Sequence, residues 1–180
     1  MPSDEVLHEG AWLRLRRRGR WEYVERSHSA DGLAVIIVAA TPEDRVLFVE
    51  QFRVPLDAAT VEFPAGLVAD SHDADTVEEA ARRELVEETG WQASQVDVLL
   101  TGPTSAGMTS ERIAFARATG LTRVGPGGGV QGEDIVVHEV PRDEAAAWLM
   151  RKGREGCELD LKLWAGLWLL DRDPDGSPAR

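Results

Sequence analysis

Residues 33–40 form an unbroken apolar run; Thr41-Pro42-Glu43-Asp44 interrupts it, and 46–49 resumes it. Such continuity, broken only by turn-forming residues, predicts two adjoining strands with at least one buried on both faces, the expected centre of a sheet. Upstream, 12–16 and 21–26 carry β-favouring aromatics and Val24 on either side of Arg17-Arg18-Gly19-Arg20, which predicts an N-terminal antiparallel hairpin. The period then changes. Across 76–89, Val77, Ala81 and Leu85 recur at helical spacing and the pattern stops before Gly90, so a helix is expected there. Further strands are predicted over 96–100, 113–118 and 135–140, and helices over 143–151 and 159–170. The order mixes strands and helices without a regular βαβ alternation. An α+β fold, an α/β/α sandwich around a mixed sheet, suits it better than a doubly wound one.

Composition narrows the functions open to such a domain. The 180 residues are enough for one substantial core, and their formal net charge of -12 provides no broad basic face. Long nucleic acid and anionic membranes are therefore disfavoured partners. Only Lys152 and Lys162 among the 20 basic residues are lysine, so an anionic substrate would be met mostly by arginine. One cysteine, Cys157, allows no internal disulfide, and neither a signal-like N-terminus nor a long apolar run is present; a cytoplasmic location is expected. His28, His72 and His138 lack zinc-site spacing. The run Gly125-Pro126-Gly127-Gly128-Gly129 reads as a flexible loop and lacks the Gly-Lys-Ser/Thr of a phosphate-binding loop. Trp91, Trp148, Trp164 and Trp168 are expected in the core.

The helix over 76–89 carries the chemistry. Glu84, Glu87 and Glu88 stand at i, i+3 and i+4, on one face, while Val77, Ala81 and Leu85 occupy the other. Like charges this close repel by roughly 0.2–0.5 kcal/mol per pair on an exposed helix, and more when buried. A hard divalent cation held by oxygen ligands, Mg²⁺ or alternatively Mn²⁺, would relieve them. A solvated acidic face, with Glu79 and Glu87 bracketing Arg83 as ion pairs, would also account for the spacing.

Arg83-Glu84-Leu85-Val86-Glu87-Glu88-Thr89-Gly90-Trp91 resembles the second half of the Nudix box, R-E-U-x-E-E-x-G-U with U apolar, at every defined position. The first half departs from the pattern. Asp75 and Ala69 fall where glutamate and glycine are usual, consistent with a short insertion that leaves Gly66 in the glycine role. The surrounding segments Trp21-Glu22-Tyr23-Val24-Glu25-Arg26, Glu50-Gln51-Phe52-Arg53, Glu62-Phe63-Pro64-Ala65-Gly66, Gly107-Met108-Thr109-Ser110-Glu111 and Gly132-Glu133-Asp134-Ile135 resemble the ADP-ribose and nucleotide-sugar diphosphatase branch. That resemblance implies an N-terminal hairpin over 1–30 that can serve as a dimer arm and a catalytic domain over 31–172; the remaining 173–180 is expected to be a flexible tail.

It further implies metal ligation by Glu84, Glu88, supporting Glu87, the Ala65 carbonyl and Glu133, with Arg83 orienting the glutamates. Glu133 is the implied proton acceptor, alone or with Glu111, because Gln131 stands where some relatives carry a second acid. Arg26 and Arg53 are candidates for the phosphates and Trp21 for the base, with Glu111 and Gly107 also expected at the substrate. The implied reaction is metal-dependent hydrolysis of a nucleoside diphosphate linked to another moiety, foremost ADP-ribose, by a homodimer. Ala106 matches a position where many ADP-ribose enzymes carry proline, so GDP-mannose or another nucleotide sugar is an alternative; a nucleotide sensor without turnover is a third.

Overall fold

The computed structural model describes residues 4–27, 32–68, 76–130 and 132–179. In chain order the strands are β1 (Asp4–Glu9), β2 (Leu13–Arg18), β3 (Trp21–Arg26), β4 (Leu33–Ala39), β5 (Arg45–Arg53), β6 (Ala58–Glu62) and β7 (Ala65–Leu67). After helix α1 (Val77–Thr89) come β8 (Trp91–Pro103), β9 (Arg112–Arg123), β10 (Val136–Pro141), helix α2 (Ala145–Arg154), β11 (Glu158–Leu159) and helix α3 (Lys162–Leu169). One mixed sheet has the order β7-β4-β9-β8, with β4 and β9 parallel; the second runs β10-β5-β6-β11, with β11 parallel to β6.

Strand side chains alternate between faces, and this alternation builds the two cores. Val35, Ile37 and Leu47 pack with Ala80, Ala81 and Leu85 of α1. Ile36, Val38 and Phe48 point the other way, into a cluster with Leu149 of α2 and Leu163 of α3. Helices on opposite sides of central strands make the α/β/α sandwich. The apolar run of β4 is continuous because both of its faces are covered.

The N-terminal unit is larger than a hairpin. The polar segment Asp4–Glu9 pairs with β2 to form a three-stranded antiparallel sheet β1-β2-β3, held by cross-strand ion pairs such as Arg17–Glu5 and Arg16–Glu25. Charge complementarity in place of apolar alternation hid β1 from the pattern. The segment expected to open the last helix is instead split: Glu158–Leu159 pairs with β6, and α3 starts only at Lys162. Trp164 and Trp168 are a second correction, since both are exposed and Trp168 lies 4.9 Å beneath the Arg172 guanidinium. Leu163, Gly166 and Leu169 are the core face of that helix. Trp91 is buried, and Trp148 stacks on Phe48 at 5.5 Å.

The glycine run is docked, contrary to the flexible loop expected. The last carbonyls of a helix have no partner within it; here Gly128 N donates to Glu88 O at 2.8 Å and Gly129 N to Glu87 O at 3.0 Å. Beyond α3 the chain turns back, and Asp173 accepts from Arg117 of β9 at 2.8 Å. Residues 28, 69, 72, 75 and 131, singled out in the sequence, lie outside the described residues.

Candidate active site

Helix α1 is placed by its own ends. Thr76 and Glu79 form a reciprocal capping box, and Gly90 closes the C-terminus in the left-handed conformation with φ 73°. Glu79 is thereby committed to Thr76, at 2.8 Å from its backbone N–H, and does not bracket Arg83. With Ala80, Ala81 and Leu85 fully buried, the glutamate face meets β7.

Three carboxylates meet there with unequal surroundings. Glu88 is 5% exposed, and its Oε2 accepts a single hydrogen bond from Ala65 N–H at 3.0 Å. Burial pushes its carboxyl up to about 8, against the pull of that bond, with the negative neighbours Glu84 and Glu133 adding to the effect. Burial also raises Glu84, which Arg83 partly offsets through Nη1 at 2.7 Å from Oε1. Glu87 is more open and lies 3.5 Å from the same guanidinium nitrogen. Arg83 therefore touches the carboxylates themselves, and its Nη2 reaches the Leu67 carbonyl of β7 at 3.5 Å. Gly66 is required by close approach, because a Cβ would fall 2.0 Å from Glu84 Cδ. Glu133 arrives from the loop before β10, with its Oε2 accepting from Val130 N–H at 2.9 Å.

Among the described residues no three acidic, histidine or cysteine side chains form a closed ligand cluster. The donor set nonetheless fits a hard divalent cation. It is all oxygen, Glu88 is a buried carboxylate with one donor, and mutual repulsion involves Glu84, Glu88 and Glu133.

Beside this face lies a recess of about 140 Å³ whose lining includes Ala65, Arg53, Glu62, Arg26, Glu111 and Lys162. Arg53, at the end of β5, grips Glu62 of β6 in a two-bond fork, Nε to Oε1 at 2.6 Å and Nη2 to Oε2 at 2.7 Å. That contact holds Arg53 firmly protonated. Arg26 at the end of β3 pairs with Glu111 at 2.7 Å. Lys162 pairs with Asp160 at 2.5 Å on the same wall. Glu62, Asp160 and Lys162 have no role that the sequence alone assigns. Glu62 belongs to the segment Glu62-Phe63-Pro64-Ala65-Gly66, and the alternation Glu158-Leu159-Asp160-Leu161-Lys162 is the available sign of a strand rim. Trp21 and Gly107 are not in this recess. They line a separate cleft of about 280 Å³ between β3 and the loop before β9, together with Arg18 and Tyr23.

A Nudix domain model matches residues 30–150. The chain belongs to the Nudix family. Among similar proteins, the ADP-ribose pyrophosphatase of Mycobacterium tuberculosis is 34% identical over 83% of this chain and 73% of its own. The GDP-mannose pyrophosphatase of Pectobacterium atrosepticum is 31% identical over 83% and 79%. The methanol dehydrogenase activator of Bacillus methanolicus is 35% identical over 66% of this chain, which spans only 63% of that protein. A solved structure titled an ADP compounds hydrolase shares the fold with a TM-score of 0.64, at 19% identity over 86% of this chain and 92% of the other. No described helix is long and apolar enough to cross a membrane.

Proposed function

We propose that this Nudix chain is a divalent-cation-dependent pyrophosphohydrolase acting on a nucleoside diphosphate linked to a second moiety, converting ADP-ribose to AMP and ribose 5-phosphate. The observation that carries this is the buried Glu88 beside Glu84, abutting a recess that presents Arg53 and Arg26. Glu84, Glu88, Glu87, Glu133 and the Ala65 carbonyl would hold Mg²⁺, or Mn²⁺ in its place. Bound there, such a cation would supply charge neutralisation at the diphosphate and a more acidic water. Arg83 orients Glu84 and Glu87. Arg53, preset by Glu62, and Arg26, preset by Glu111, meet phosphate oxygens with fixed forks of donors. Glu133 is better placed than Glu111 to take the proton of the attacking water, because Glu111 is already engaged by Arg26 while Glu133 joins the α1 carboxylates electrostatically.

The names of two relatives favour ADP-ribose and GDP-mannose respectively, which makes GDP-mannose the alternative substrate. A homodimer belongs to the same reading. Trp12, just before β2, and Leu13 and Trp21 on the N-terminal sheet are 74%, 49% and 59% exposed, and a second copy would cover them and bring Trp21 to a substrate. The test is direct product analysis with Mg²⁺ and a panel of ADP-ribose, ADP-glucose, GDP-mannose, NADH and diadenosine polyphosphates, with Glu88→Gln in parallel. Turnover of ADP-ribose that is lost in the variant is expected. Tight nucleotide binding without turnover of any compound would leave a sensor and sink the enzyme.

A further inference from the structure

Five of the residues that lead to Glu133 are Gly125-Pro126-Gly127-Gly128-Gly129, a composition that the role of Glu133 does not by itself require. We propose that Gly127 and Gly129 are positioning residues: they dock the Glu133 segment on the backbone of α1 and so set the spacing between Glu133 and the carboxylates of Glu84 and Glu88. The proposal rests on the reading that these carboxylates share one cation.

The docking is made to the very residues that bear the site. Gly128 N–H and Gly129 N–H donate to the carbonyls of Glu88 and Glu87, at 2.8 and 3.0 Å, so the segment is registered on the last turn of α1. Contact this close excludes a side chain. At Gly127, φ +72°, a Cβ would lie 2.5 Å from Thr89 C and 2.7 Å from Glu88 O, both backbone atoms that cannot swing aside. At Gly129, φ +83°, it would lie 2.5 Å from Glu133 Oε2 and 2.8 Å from Glu133 Cβ. The Glu133 side chain thus lies across the bare α-carbon of Gly129. Two further bonds keep it there, Val130 N–H to Glu133 Oε2 at 2.9 Å and Glu133 N–H to Val130 O at 3.0 Å. On the far side, the buried Ile135 donates to Gly128 O at 3.4 Å before β10 begins. Glu133 is therefore tied to the last turn of α1 through these glycine contacts.

Supporting groups of this kind typically alter metal affinity or activity by about 10–100-fold when changed. The experiment is a titration of the full chain with Mn²⁺ in the absence of nucleotide, followed by electron paramagnetic resonance of the free ion, with thermal melts alongside. Gly129→Ala should weaken Mn²⁺ binding about tenfold or more. Gly156→Ala supplies the control for backbone strain, since Gly156 has φ +101° and nothing within 4 Å of its added Cβ. It should lower the melting temperature similarly and leave Mn²⁺ affinity unchanged. In a Glu133→Ala background, Gly129→Ala should weaken Mn²⁺ binding no further, because it acts through Glu133. Wild-type affinity in Gly129→Ala, or full additivity with Glu133→Ala, would overturn the proposal. Failure of the wild type to bind Mn²⁺, or unchanged binding in Glu88→Gln, would instead bring down the shared-cation reading and this proposal with it.

Discussion

Without divalent cations, Glu88 should be a source of instability at alkaline pH, and Glu88→Gln should remove it. The folded-state carboxyl is raised from 4.5 to about 8 by burial, so folding favours its protonated form. Below pH 4.5 both folded and unfolded chains are protonated and the group costs nothing. As pH rises from there to about 8 the unfolded chain ionises first, and stability falls; above about 8 the cost levels off. At about 1.4 kcal/mol per pH unit the ceiling is about 5 kcal/mol, a large share of a domain's total stability. Glutamine keeps an acceptor for the Ala65 N–H, 3.0 Å from Glu88 Oε2 in the wild type, and cannot ionise. Urea denaturation followed by tryptophan fluorescence in excess chelator, at pH 5.5, 7 and 8.5, should show the variant gaining on the wild type as pH rises, by at least about 1 kcal/mol at the top. Mg²⁺ should then stabilise the wild type most at pH 8.5 and the variant little. A difference between the two proteins that stays flat with pH, or a variant less stable at pH 8.5 in chelator, would refute the reasoning.

Four other substitutions separate site from scaffold. Gly66→Ala should cut kcat about 100-fold while moving the melting temperature little, because the added Cβ meets the swinging end of Glu84 and not backbone; steady-state kinetics beside calorimetry checks both. Arg53→Lys should raise KM for ADP-ribose about tenfold, since lysine cannot reproduce the two-bond fork on the buried Glu62; a KM unchanged with kcat reduced would contradict a binding role. Trp148→Ala should cost about 3 kcal/mol through its lost stack on Phe48, whereas Trp168→Ala, exposed beneath Arg172, should cost under about 1 kcal/mol, as chemical denaturation would report.

The parts legible in the sequence share one property: local period and local spacing determine them. The double-sided burial of β4 follows from its unbroken apolar run, the length of α1 from Thr76, its apolar spacing and Gly90, and the shared face of Glu84, Glu87 and Glu88 from 3.6 residues per turn. The family resemblance was legible for the same reason, since most of the matching half of the box, Arg83 to Thr89, lies within one helix. Features that depend on distant partners were not. Strand β1 exists only because its acids meet the arginines of β2, β11 only because β6 presents a free edge, and Glu62 matters only because register places it against Arg53. The apolar spacing of Trp164 and Trp168 looked like a core stripe, but sheet contact selected the Leu163, Gly166 and Leu169 face instead. The glycine run differs in kind. Its composition signals backbone freedom, yet the tertiary structure uses the missing side chains as clearance, bringing a loop close enough to satisfy the end of the helix that carries the carboxylates.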